Sequence, residues 1–320
     1  MQKNCNFKIT LDKSHFITNE IISGKIHLEL LEPINLHTIY IHFYKKFDCE
    51  FEVNRNDSSF HKKWYKTERT IYSKEIVIYE SFRHVNKLGS GYHVFPFKIT
   101  LRPKDSGTCT LSQYVDNFYA EANSYYGIDA FLKVEGVFKP VLTDNVRVEM
   151  RTYHQKTRKI TDTINITSCL CLMSTNLIII GHTDKDKYST TDAISFFTRL
   201  SNNTYGIKSV KLRLYCHLTL RTKNNVVNKT KLVASSDRSI IELNECKTMI
   251  KIPSNAAPTV YEKYLCVYYT LSAIVHINRT SPIVIERKVF IYREPRREEP
   301  FCSIGAFKGI TFPSVYINID

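Results

Sequence analysis

The chain reads as an all-β protein of two tandem antiparallel β-sandwiches. Three observations predict that class. Apolar residues recur with a period of two, β-branched and aromatic types fill the alternating runs, and helical periodicity is almost absent. Hydrophobic residues make up 43% of the 320. That is enough apolar side chain to offset the entropy of ordering, and at roughly 100–200 residues per domain the length predicts two domains.

In chain order, Lys25–Leu30 puts Ile26, Leu28 and Leu30 on one face, and Ile39–Phe43 does the same with Ile39, Ile41 and Phe43. In Phe95–Leu101 the inward set is Phe95, Phe97, Ile99 and Leu101. In Ile128–Val134 it is Ile128, Ala130, Leu132 and Val134. Ser112–Tyr125 carries Tyr114, Val115, Phe118 and Tyr119, a partial 3.6-residue pattern that predicts a short helix or a structured loop. The polar, basic run Arg151–Lys159 reads as the hinge. Beyond it, Ser209–Arg221 turns Val210, Leu212, Leu214, Cys216, Leu218 and Leu220 toward a core and the residues between them toward water. Leu265–Ile277 and Ile283–Ile291 continue the series. The core pattern stops at Tyr292, before the charged, Pro-punctuated Arg293–Pro300. The expected division is a first sandwich over 1–152, a second over 153–293, and a charged tail over 294–320.

Composition narrows the function. The chain holds 45 Lys+Arg against 31 Asp+Glu, a formal net charge of +14. Its start has no apolar run of the kind a secretory signal needs. The apolar-rich stretch Tyr264–Ile277 is too short and too alternating to span a bilayer, which takes about 20 residues. A soluble intracellular protein is the expectation. Nine cysteines at irregular intervals then read as free, buried thiols, and Cys169-x-Cys171 is too closely spaced for a structural zinc pair. No Gly-x-Ser-x-Gly elbow, phosphate-cradling Gly-rich loop or His-Glu-x-x-His occurs, so no enzyme activity, cofactor or metal is expected. His27, His42 and His217 fall on the polar faces of strands and read as surface residues.

Four segments carry a resemblance. Phe16–Leu28 sets Asn19-Glu20 at a turn and Gly24 at the head of a strand, and Glu32-Pro33 precedes the strand at Ile39–Phe43. Gly91-Tyr-His93-Val-Phe95-Pro96-Phe97-Lys-Ile-Thr-Leu101 is the third. Ile250-Lys-Ile-Pro253 with Pro258, leading into Val267–Ile277, is the fourth. Together they are similar to the arrestin fold, and the chain resembles the α-arrestin (arrestin-domain-containing) family. The third segment is similar to the family's Gly-x-His-x-Phe-Pro-Phe signature. The resemblance implies two arrestin-like (immunoglobulin-like) sandwiches. Within the signature, Pro96 lacks a backbone donor and belongs at a sheet edge or bulge, Phe95 and Phe97 enter the core, and His93 orders the turn before them. Asn19 is tolerated at its turn because Asn visits left-handed conformations.

The same resemblance implies a non-enzymatic trafficking adaptor, cytoplasmic and peripheral at the plasma membrane or endosomes. Such a protein binds cytosolic tails of membrane proteins and couples them to endocytosis, ubiquitination or sorting. The Pro-Pro-x-Tyr motif with which the family engages a ubiquitin ligase is absent, since Pro313-Ser-Val-Tyr316 lacks the second proline. The alternative within the fold is a sorting-coat subunit of the retromer Vps twenty-six type, held in stoichiometric complex. The residues expected to meet acidic partners or acidic lipid headgroups are Lys62, Lys63 and Lys66 in the first half. In the second half they are Lys208, Lys211, Arg213 and Arg221. No nucleic-acid module is recognisable, and no nucleic-acid partner is expected.

Overall fold

A computed structural model describes residues 5–318 apart from 55–61, 82–86, 102–105, 116–117, 152–159, 171–172, 201–205, 224, 238, 241–244, 279–280, 294–309, 312 and 314. Between 152 and 177 it describes backbone alone. The described residues form strands and turns and no helix. The contacts divide the chain into two units. One comprises Met1–Ser112, Ala120–Thr152 and Pro295–Asp320, and the other Gln113–Tyr119 and Tyr153–Glu294.

The strands of the first unit are β1 (Cys5–Leu11), β2 (His15–Ile17), β3 (Ile21–Leu30), β4 (Ile34–Asn54), β5 (Lys62–Glu80), β6 (Lys87–Leu88), β7 (Gly91–Thr100), β8 (Cys109–Val115), β9 (Phe118–Val134) and β10 (Leu142–Arg151). One sheet runs β1-β3-β7, and the other β2-β10-β9-β4-β5 with β6 on β4 and β8 on β9. Alternation decides which side chains meet. Ile22, Ile26 and Leu28 of β3 and Phe95, Phe97 and Ile99 of β7 pack against Ile39, Ile41 and Phe43 of β4 and Ile128, Ala130 and Leu132 of β9 in one buried cluster. The phenyl ring of Phe97 fills the space over Gly24, where a Cβ would stand 2.6 Å from that ring and 2.5 Å from the Thr10 carbonyl. Gly24 is therefore required by close approach, in mid-strand rather than at a turn. The turn before β3 falls on Asn19, which has φ 73°. His93 is buried, and its Nε2 lies 2.8 Å from the Gly89 carbonyl, tying down the turn that leads into β7.

The second unit contains β11 (Ile160–Leu170), β12 (Met173–Thr183), β13 (Lys187–Ser189), β14 (Ala193–Leu200), β15 (Ile207–Arg221), β16 (Val226–Ser235), β17 (Ser239–Ile240), β18 (Glu245–Lys251), β19 (Val260–Tyr261), β20 (Leu265–Ile277) and β21 (Ile283–Tyr292). Its sheets are β11-β12-β14-β18 and β13-β21-β20-β15-β16, with β17 on β15 and β19 on β20. The inward face of β15 buries Val210, Leu212, Leu214, Cys216, Leu218 and Leu220. Pro253 and Pro258 bracket a turn in which the Ala256 N–H donates to the Pro253 carbonyl, and the Tyr269 hydroxyl donates to the Ala257 carbonyl at 2.8 Å. Both cores also take in a cation. The Lys45 ammonium donates to the Ser106 hydroxyl at 2.7 Å over the Tyr126 ring, and Arg287 donates to the Gly181 carbonyl at 3.3 Å.

Two expectations change. The described residues of Ser112–Tyr125 are strand: they contribute to β8 and to β9, where Phe118, Ala120, Ala122, Ser124 and Tyr126 are buried in alternation. The small Ala and Ser side chains hide a period of two that pairing with β4 enforces. The segment 294–320, expected as a charged tail, carries β22 (Ile310–Thr311) and β23 (Val315–Asn318), which add in parallel to the outer edge of β7. Pairing steps from Thr311 opposite Val94 to Val315 opposite Phe97. Between those two registers β7 carries Phe95 and Pro96, and Pro96 has no N–H to offer an added strand. The hinge Arg151–Lys159 lies, beyond Arg151, outside the described residues, as do the side chains of Cys169 and Cys171.

Candidate functional site

A binding protein of this class can offer open strand edges and charged sheet faces. On the outward face of β1-β3-β7, register brings together residues far apart in sequence. Lys8 of β1 stands opposite His27 of β3, and Thr10 opposite Lys25. Ser23, one outward position along from Lys25, stands opposite Lys98 of β7. Lys8 and Lys25 are exposed. The His27 ring links Thr10, at 2.8 Å from Nε2, to the Tyr92 hydroxyl, which it meets through Nδ1. Burial, reinforced by the charges of Lys25 and Lys8, holds the His27 pKa below the usual histidine value. Lys98 donates to the Tyr316 hydroxyl at 3.0 Å and lies over that ring. The face is basic, with Glu29 as the acid interleaved at the end near Tyr92.

The two edges of this sheet differ. The β7 edge carries the chain's own β22 and β23. Among the described residues no strand pairs with the outer edge of β1. The Ile9 N–H on that edge donates instead to the Asp144 carboxylate of β10 at 2.8 Å.

The second unit shows how such an edge is completed. Its strands repeat the first unit's register: Leu11 faces Gly24 and Phe7 faces Leu28, as Thr183 faces Phe196 and Ile179 faces Leu200. The corner between the strands repeats as well. Ile17 N–H donates to Glu20 and Glu20 N–H to the Ile17 carbonyl, and Ser189 and Asp192 exchange the same pair of bonds. Lys13 pairs with Glu20, and Lys185 with Asp192. In this correspondence β12 is the counterpart of β1, and the outer edge of β12 is taken by the antiparallel strand β11, with Asp162 opposite Gly181, the counterpart of Ile9.

The residues expected from sequence fall in separate places. Lys211, Arg213 and Arg221 share the outward face of β15, beside Ser272, Thr270, Tyr268 and Cys266 of β20. On that face His217 stacks on Tyr268 at 4.5 Å, Lys288 lies over the same Tyr268 ring, and burial lowers the His217 pKa. Lys208 is exposed at an irregularity, between Ile207 opposite Ile277 and Ser209 opposite His276. Lys66 is exposed on β5 and stands opposite Glu50, so an acid already offsets its charge. Lys62 and Lys63 begin β5, and their side chains lie outside the described residues. Lys8, Lys25 and Lys98 were not singled out by sequence. The signal available for them was alternation alone, which puts each on a polar face without showing that the three faces are one.

Residues 5–125 match the family model of the arrestin (or S-antigen) N-terminal domain. That span is an arrestin N-terminal domain. The matched span contains β1 through β8, including the Gly91–Leu101 signature and the Lys8, Lys25 and Lys98 face of the arrestin sheet. No curated protein matches the chain. Among the described residues no group of His, Cys, Asp and Glu is placed to hold a metal ion, and no helix is long and apolar enough to cross a membrane.

Proposed function

We propose that this arrestin-domain protein is a non-enzymatic adaptor. It holds cytosolic tails of membrane proteins as an added strand on the outer edge of β1 and couples them to endocytosis, ubiquitination or sorting. The observation that carries this reading is that no strand among the described residues pairs with the outer edge of β1 beside Lys8 and Lys25, where the counterpart edge in the second unit is filled by antiparallel β11. Main-chain hydrogen bonds to the edge supply affinity without regard to sequence, and the cations select acidic or phosphorylated segments. The Asp144 carboxylate occupies the Ile9 donor until a peptide carbonyl replaces it. The outward face of β15, with Lys211, Arg213 and Arg221, is a second basic surface for acidic groups of the same partners or for acidic lipid headgroups.

Fluorescence anisotropy with a labelled acidic peptide, with and without phosphoserine, tests this. Lys8→Glu/Lys25→Glu is expected to weaken binding by about tenfold or more, since each charge-assisted contact is worth about 1.5–3 kcal/mol. Lys211→Glu/Arg213→Glu is expected to have a smaller effect on the same peptide. Equal binding by wild type and the Lys8/Lys25 variant would overturn the assignment of the β1 edge.

A further inference from the structure

One end of the first sandwich presents apolar side chains to water at the tips of two adjoining turns. Phe138 is 101% exposed and Val137 45% in the turn between β9 and β10, and Leu31 is 65% exposed in the turn between β3 and β4. The turn between β9 and β10 is held by backbone bonds. Gly136 has φ 77°, the Val137 N–H donates to the Val134 carbonyl, and the Val141 N–H donates to the Leu132 carbonyl at 2.9 Å. The Glu135 N–H donates to the Asn35 carbonyl at 3.0 Å, which fastens this turn to the start of β4, just past the other. Residues of both turns, among them Leu30, Pro33, Val134 and Val141, line one small cavity of about 120 Å³. The tips therefore stand on a common, braced base.

A phenyl ring with its whole surface in water is a cost the fold does not require, because Phe138 contributes nothing to the core. Its shape argues for what it meets. These side chains stand in water at the tips of turns and line no pocket of their own. The neighbouring charges are Lys87, which is exposed and pairs with Asn35, Lys133 and Lys139, against Glu32 and Glu135. Apolar tips flanked by lysines match the layered chemistry of a lipid surface, acyl chains below and anionic headgroups around. The geometry points to a membrane contact at this end of the first sandwich, in which Phe138, Val137 and Leu31 enter the headgroup–acyl boundary of an anionic bilayer. This contact is distinct from the β1 edge and needs no peptide.

Flotation of the full chain with phosphatidylcholine–phosphatidylserine vesicles, with no cargo peptide present, reads the proposal. Phe138→Ser is expected to lower vesicle partition by about tenfold or more, the value of one buried aromatic side chain, with the thermal melt unchanged because Phe138 packs against nothing. High salt is expected to reduce partition only in part, since the glutamates offset much of the lysine attraction. Trp64 is the single tryptophan of the chain, so Phe138→Trp in a Trp64→Phe background reports on the tip alone. Its emission should shift to the blue on adding vesicles and be quenched by brominated acyl chains. Unchanged flotation of Phe138→Ser, or tryptophan emission that ignores vesicles, would overturn the contact. So would a Phe138→Ser effect confined to self-association in free solution, which would make the tip an interface between copies.

Discussion

The two sandwiches are built on one plan and filled in opposite ways. In the first, Gly24 of β3 stands opposite Phe97 of β7; in the second, the corresponding pair is Phe196 of β14 opposite Thr248 of β18. The ring comes from the third strand in one unit and from the middle strand in the other. Glycine makes room for it each time: Gly24 under the Phe97 ring, and Gly181 under the Phe196 ring, where a Cβ would lie 2.8 Å away. The edges are exchanged too. Among the described residues the first unit pairs no strand with the outer edge of β1 and covers β7 with its own β22 and β23, whereas the second covers β12 with β11 and pairs no strand with the outer edge of β18. Core volume is thus conserved as a sum over neighbouring strands rather than position by position, and either edge of the sheet can accept an added strand.

The sharpest way to break this comparison is to remove the ring. Phe97→Ala is expected to cost about 3–5 kcal/mol in chemical denaturation, while Thr248→Ala, at the matching place, should cost about 1 kcal/mol. Comparable losses would mean that Thr248 and Phe97 do not occupy equivalent positions. Gly24→Ala comes next, at about 1–3 kcal/mol, because its methyl group meets the Thr10 carbonyl as well as the Phe97 ring and backbone cannot swing aside. For Gly181→Ala the nearest atoms are in the side chains of Phe196 and Ile285, and the change should cost less. The reverse order would show that the ring, and not the backbone, sets the limit.

Removing residues 310–320 is expected to lower stability by about 1 kcal/mol, since the lost pairing is largely offset by regained chain entropy. Amide exchange should quicken along β7 and stay unchanged along β18. Equal exchange in β7 with and without the tail would refute the edge pairing. The smallest effect concerns His27, whose counterpart in the second unit is Arg199, paired with Glu245 at 3.1 Å. The folded chain holds the His27 pKa below its unfolded value near 6.5. Above that value the ring is neutral in both states and stability is complete; as pH falls through it the unfolded chain takes up the proton first and stability declines. His27→Gln should flatten that slope, and an NMR titration of the ring gives the direction directly. An anionic peptide bound beside Lys8 and Lys25 should raise the same pKa.

Much of the architecture was legible because burial on one face of a sheet writes itself as alternation. The inward sets of Lys25–Leu30, Ile39–Phe43, Phe95–Leu101 and Ser209–Arg221 are buried as read. Asn19 takes the left-handed turn, and His93 braces the turn before the signature strand. Ser112–Tyr125 misled because Ala120, Ala122 and Ser124 are too small to register as a core face. The repeat between the units was hidden because what they share is hydrogen-bonding geometry at Ile17 and Glu20, and at Ser189 and Asp192, rather than hydrophobic volume.

The basic face was illegible for a related reason. Lys8, Lys25 and Lys98 lie on three strands, and a period of two places each on a polar side without naming its neighbours. Sequence by itself determined which large apolar side chains of the alternating runs turn inward, and with them the all-β sandwich class. Only the tertiary structure decided which strand edge stays open, which the chain closes upon itself, and which charges become neighbours. Those outcomes depend on register between distant segments, and register is set by packing across the sheet rather than by any residue alone.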